Sequence, residues 1–521
     1  MSGADRRRAP VPDRGGTAHV KKLFVAPDPG RARLRHASRA VLGIALAVTA
    51  AGLAGFPLPA MCGGGLAALL AFFVVADPRV GQQAVTTALM PLTGLPVLTA
   101  AAWLHPYPLA RDAAFVAVVL AGVYVRRWGA RGHALGVFGF MMFFIAQFLH
   151  AVPAELPELY AAIGLSLAVA ATVRFGLWCY ERGAAPVPAI SLVQPPGLRR
   201  PTTRQAVQAA TAAAGALALG QALSEDRWYW AVATSWWIFV NTASRGETLV
   251  RGFRRVLGTA LGIVAGFALA LPLHGAPVPS AVLVAVCVFG IFYSAAVSYS
   301  WMTFFVTVMA GSLYGLLGVL HPALLLLRLE ETGAGALWAA LAVLLVLPVT
   351  THAATDAWIQ RALESVRDFT AQAARHLAGE PGADLAGRAA ELDLVLGRVR
   401  ACLAPLVHPL SPLRARRARA GHVLRLLDAC AHQVRGLAEV VAHPEAGHDE
   451  RLSAACRRVE DAVRRLVVRG VEAPEPRPET PRDGAGHPHA ERALGHLRVL
   501  ETALTDLAAP LHADPRAPLA A

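Results

Sequence analysis

Residues 236–255 of this 521-residue chain bring together Trp236, Trp237, Asn241, Arg245, Arg251, Arg254 and Arg255. On a helix Arg251 and Arg255 share a face with Arg254 beside them, so a carboxylate or sulfonate can meet two guanidiniums at once. The indole rings can stack an aromatic body, and Asn241 adds an uncharged hydrogen-bonding group. Such a set suits binding of organic, aromatic or amphipathic anions. The same arginines also suit anchoring at lipid headgroups, and Trp228 and Trp230 suit an interfacial belt. Residue types alone leave both readings open. For carrying protons, Asp77 and Glu247 are the best placed acids, ahead of Asp226 and His150, although Asp77 can equally pair with Arg79.

Other chemistry is excluded by what the sequence omits. Lys21 and Lys22 stand alone against 47 arginines, and no glycine-rich loop precedes either, so no nucleotide-binding P-loop is present. The six cysteines form no CxxC pair, and His105, His274 and His321 lack metal-ligand spacing. No serine, cysteine or paired-carboxylate constellation points to a hydrolase. The chain therefore reads as a non-enzyme without metal or cofactor.

The elements that must position these residues are membrane helices. Hydrophobic residues make up 55% of the chain and charged ones 16%, and residues 256–327 contain no Asp, Glu, Lys or Arg. A bilayer span needs about 20 apolar residues, so that run alone accommodates several. Twelve spans are expected, near 37–55, 61–76, 83–104, 113–125, 133–152, 159–178, 205–223, 228–242, 255–271, 280–297, 301–320 and 335–351. They form two six-helix units, 37–180 and 204–351, joined by a Pro-rich cytoplasmic linker at 181–203. ASRAVLGIALAVTAAGLAG at 37–55 reads against RQAVQAATAAAGALALGQA at 204–222, and FFVVADPRVGQQAV against WIFVNTASRGETLV, an internal repeat offset by about 165 residues. The stripe Gly258, Thr259, Gly262 and Gly266 suits close helix packing.

The charge pattern sets the expected orientation. The formal net charge of +14 resides in residues 1–39 and the membrane loops, since residues 352–521 hold 23 arginines against 22 acids. That distribution argues for positive-inside topology rather than nucleic acid binding. With the N-terminus inside, the outer loops are assigned Arg111, Arg227 and Arg328 against Asp112, Glu155, Glu158, Glu225, Asp226, Glu330 and Glu331. Residues 1–36 read as a disordered basic cytoplasmic arm rather than a cleaved signal. From 352 to 521 the apolar residues recur at helical spacing, predicting a cytoplasmic helical bundle with a disordered segment at 472–489. The expected setting is a plasma membrane, with both termini cytoplasmic.

The run WYWAV, TSWW and RGETLVRGFRRVLGTALGIVAG, after a six-span unit and before a helical domain, resembles the fusaric acid resistance-like family, which includes aromatic acid exporters. Plant aluminium-activated malate transporters look like distant relatives. Arg227 to Leu271 carries the specific match, with Arg255, Gly258, Thr259 and Gly262 at its core. The first half, RVGQQAVTTALMPLTGLP, lacks the paired arginines, and the linker is too short for the sizeable cytoplasmic domain of some bacterial exporters. The resemblance implies efflux of organic acids driven by protons, with the lipid bilayer and a small organic anion as partners and a homo-oligomer among the options. A passive anion channel, or a membrane scaffold whose helical domain binds a partner, are the competing readings.

Overall fold

The computed structural model describes residues 31–178, 196–242, 244–348, 351–377, 384–407, 414–441, 450–467 and 488–512. Residues 1–30 of the expected arm, most of the 181–203 linker and most of the 472–489 segment lie outside them. All regular structure among the described residues is helical, with no strand.

Among the described residues, twelve α-helices precede residue 346. They are α1 (Ala32–Leu53), α2 (Leu58–Val74), α3 (Val80–Trp103), α4 (Pro108–Tyr124), α5 (Gly129–Leu149), α6 (Leu156–Trp178), α7 (Pro201–Leu223), α8 (Tyr229–Phe239), α9 (Arg245–Leu269), α10 (Pro277–Ser294), α11 (Tyr299–Leu316) and α12 (Pro322–Leu345). Five more follow: α13 (Thr351–Leu377), α14 (Leu385–Val407), α15 (Arg414–Val441), α16 (Glu450–Val467) and α17 (Pro488–His512). Proline opens α4, α7, α10 and α12, where its missing N–H is one the first turn leaves unbonded anyway. Ser298 caps α11 by accepting from the Trp301 amide.

Among the described residues, seven segments are long and apolar enough to cross a membrane: Ala32–Leu53, Val80–Trp103, Pro108–Leu149, Pro153–Leu177, Pro201–Leu223, Arg245–Leu273 and Pro277–Ser294. Several expected boundaries are corrected. α8 has only 11 residues, about 16 Å of helix, against the 228–242 span expected. α9 begins at Arg245 rather than Arg255, and α12 at Pro322 rather than Gly335. Arg328, Glu330 and Glu331 therefore lie inside α12, and Arg111 and Asp112 near the start of α4, none of them in a loop. Apolar Leu324–Leu327 directly after Pro322 extends the helix backwards through the charges.

Two compact units cut across the sequence halves. One comprises residues 1–74, 154–181 and 257–329; the other comprises 75–153, 182–256 and 330–521. In the first, α1, α2 and α6 pack together, α1 leans on α10, and α10 on α11. In the second, α7 packs on α8 and on α4, while α5 holds α3 and α4. Gln208 Nε2 donates to the Val346 carbonyl and Gly215 accepts the Trp338 ring, which binds α12 to α7. Each unit is thus built alike: the first, second and sixth helices of one half, with the first helix set against the fourth of the other half.

The second unit also contains α13–α17, which share one apolar core. Phe369, Leu392, Val434, Leu500 and Leu504 are fully or almost fully buried in it. Half-buried ion pairs such as Arg361–Glu391 and Arg458–Glu501 rim this core. Burial of the apolar stripes holds these helices together.

Candidate functional site

α8 stops where it does because Val240 is extended and Asn241 takes a left-handed φ of 60°, a conformation asparagine tolerates better than most side chains. The last carbonyls of an α-helix have no partner within it, and buried they must find donors. Arg251 Nε donates to the Trp237 carbonyl at 3.1 Å, and Arg126 Nη1 to the Phe239 carbonyl at 3.0 Å. Gln205 Nε2 donates to the Thr242 carbonyl at 2.6 Å, and Thr248 Oγ1 to the Ser244 carbonyl at 3.0 Å. Two guanidiniums from separate helical segments thus meet the negative end of the α8 dipole. His133, at the start of α5, lies within the field of both.

The predicted cationic residues divide by exposure. Arg251 is half-buried and Arg255 is buried at 5% exposure, on one face of α9. Arg245 and Arg254 are exposed, Arg254 beside an exposed Phe253. The three arginines therefore do not form one cluster: two point inward and Arg254 outward. Asn241 is exposed, whereas Thr242 and Ser244 are buried in the break.

The tryptophans belong mostly to packing. Trp236 is buried, its ring stacked on Phe140 with centroids 4.5 Å apart, and a Cβ on Gly122 would come within 2.6 Å of it. Trp228 and Trp230, expected in an interfacial belt, are instead buried: Trp228 lies beneath the Arg111 guanidinium, 4.5 Å from it, and Trp230 lies edge-on to Phe144. The aromatic residues of α5 supply the surface they pack against. Trp237 is only half-buried and remains the indole at the break with a partly open face.

The acids occupy three different settings. Asp77, between α2 and α3, is 6% exposed; its Oδ2 meets no hydrogen-bond donor among the described residues, and Arg79 beside it is exposed. Glu247, in the first turn of α9, accepts a hydrogen bond from the Cys402 thiol of α14. Burial, followed by the Glu247 carboxylate, pushes that thiol up to about 12. The hairpin is thereby joined to the C-terminal helices. Glu331 of α12, assigned by the sequence to a loop, is 0% exposed.

Gly258 and Gly262 let α9 approach α11 closely. A Cβ on Gly258 would lie 2.9 Å from Thr303 Cβ, and one on Gly262 2.7 Å from Thr307 Cβ. Thr259 is buried between them, while Gly266 makes only ordinary contact with Leu325. His105 and His150 meet edge to face, with ring centroids 6.3 Å apart. In the other unit a cavity of about 240 Å³ opens among α1, α2, α10 and α11. Val48, Met61, Leu66, Val284 and Leu313 line it, with Thr49 the one hydroxyl.

Sequence reasoning missed Arg126, Gln205 and Glu331. Gln205 and Gln208 carried a signal as amides in an otherwise alanine-rich helix. Arg126 carried none, because its partner lies 113 residues away.

Residues 213–362 match the fusaric acid resistance protein-like family. No curated protein and no solved structure matches the chain. The fusaric acid resistance-like segment runs from mid-α7 through α12 into the first turns of α13, and so includes Arg251, Arg255, the glycine contacts and Glu331. Arg126, Asp77 and Cys402 lie outside that segment.

Proposed function

We propose that this membrane protein exports small organic acids, aromatic or amphipathic, using the proton gradient, and that Arg251 and Arg255 with Arg126 form the anion-attracting mouth. The observation that carries this reading is the concentration of inward-facing cations at the end of α8, within and beside the fusaric acid resistance-like segment. An anion approaching the break meets guanidiniums that each carry several N–H donors, and Trp237 offers a partly open aromatic face. In the first half Asp77 is buried and its Oδ2 meets no donor among the described residues, a setting that suits an acid beside a proton path. Glu247, tied to Cys402, is better suited to relaying the state of the C-terminal helices. The reading includes twelve spans in a plasma membrane, both termini and α13–α17 on the cytoplasmic side, with no catalysis and no cofactor.

Purified protein in liposomes tests it. An imposed pH gradient should drive labelled 4-hydroxybenzoate against its concentration, and transport limited to downhill flux would instead favour a passive channel. Arg251→Gln keeps a donor for the Trp237 carbonyl but removes the charge. It should fold normally and lose uptake; unchanged uptake would remove Arg251 from the mouth.

A further inference from the structure

We propose that Glu331 is the membrane-buried acid that takes up and releases the coupling proton, an inference that rests on the proton-driven reading above. α12 begins at Pro322, which places Glu331 about 14 Å along the helix rather than at its edge. The neighbouring Glu330 is exposed, whereas Glu331 is 0% exposed and Thr332 3%. Two adjacent glutamates thus face opposite surroundings, and only one is withdrawn from solvent and lipid alike.

The elements packed on this part of α12 carry few charges. One turn further on, Gly335 lies against the Ala231 carbonyl and Thr234 of α8, and Ala334 clusters with Ala216 of α7 and Ala231. From Gln205 to Leu223, α7 has no charged side chain. α8 has none either, its one titratable group being Tyr229, whose hydroxyl accepts from Arg227 at 3.0 Å. On α12 itself Arg328 lies three residues earlier on the same face, with exposed Glu330 between. On the twelve-span reading α12 crosses the bilayer, and ionisable groups buried in membrane helices are costly to keep and mark ion or proton pathways.

The step is a protonation alone: the carboxylate takes a proton from water on one side and the carboxylic acid returns it to water on the other. No covalent bond in the substrate changes. Glutamate at 331 supplies the group that can alternate between these forms within the apolar packing of α7 and α8.

Two measurements on the reconstituted full chain test this. With labelled 4-hydroxybenzoate as probe, Glu331→Gln should retain downhill counterflow and lose pH-gradient-driven accumulation to the level of empty liposomes, while Glu331→Asp should keep coupling. Accumulation by Glu331→Gln equal to the unmodified protein would overturn the proposal. Infrared difference spectra after a pH jump supply a readout independent of transport. The unmodified protein and Glu331→Asp should show a protonated carboxyl band that Glu331→Gln lacks. If the unmodified protein moves no probe in any gradient, the exporter reading fails, and a carboxyl band unchanged in Glu331→Gln would separately eliminate proton uptake at this residue.

Discussion

Arg251 and Arg126 do two things at once, and their substitution separates the two. Each donates to a buried carbonyl at the end of α8, and such charged hydrogen bonds contribute about 1.5–3 kcal/mol net. Arg126→Ala should lower the thermal midpoint in detergent, whereas exposed Arg254→Ala should leave it unchanged. A midpoint for Arg126→Ala equal to the parent would mean that the Phe239 carbonyl finds another donor. Trp236→Ala, which empties the space between Phe140 and Gly122, should cost about 3–5 kcal/mol, read as loss of folded protein on size exclusion. The arginine run was legible in the sequence because charges beside an apolar run are conspicuous. Its division into inward Arg251 and Arg255 and outward Arg254 was not, because that depends on α9 starting at Arg245 and so on the helical phase.

At the level of the helices, small residues and thiols set the tolerances. Gly258→Leu would drive a side chain into Thr303 of α11, and overpacking of this kind costs about 1–3 kcal/mol or more. It should reduce the yield of folded protein far more than Gly266→Leu, whose neighbour Leu325 stands at ordinary distance. In α14–α16, burial first of all pushes the thiols of Cys402, Cys430 and Cys456 up to about 12 from an ordinary value of 9.0. A pKa raised in the fold means that the neutral thiol is favoured there. Its contribution is complete below pH 9 and is lost as the pH rises from there toward 12. The denaturant midpoint of maleimide labelling at these cysteines should fall over that window, and Cys430→Ala should flatten the fall. Helix existence was legible from apolar runs and from the three- and four-residue spacing after Thr351. Helix ends were less so: charges at 328–331 read as a loop, and the 11-residue α8 read as a full span, because sequence alone does not show that burial in protein can replace lipid around a short helix.

For the molecule as a whole, the 165-residue repeat was visible as faint similarity between alanine-rich helices, and the structure gives the two halves like packing. The sequence pointed to two successive six-helix units, however, whereas each compact unit draws on both halves. That interleaving leaves no local sequence trace, since the residues that make it are far apart: Gln221 bonds Asp112 across 109 positions, and Arg126 bonds Phe239 across 113. It also sets an order on biosynthesis. While the ribosome is still making α6, helices α3–α5 already wait in the membrane for α7 and α8, and α1 waits for α10. Neither unit can close until the second half has been inserted, so the early helices depend on whatever shields unfinished membrane chains from degradation. A gene divided between α6 and α7 should accordingly give two fragments that are each degraded when made alone and protected when made together.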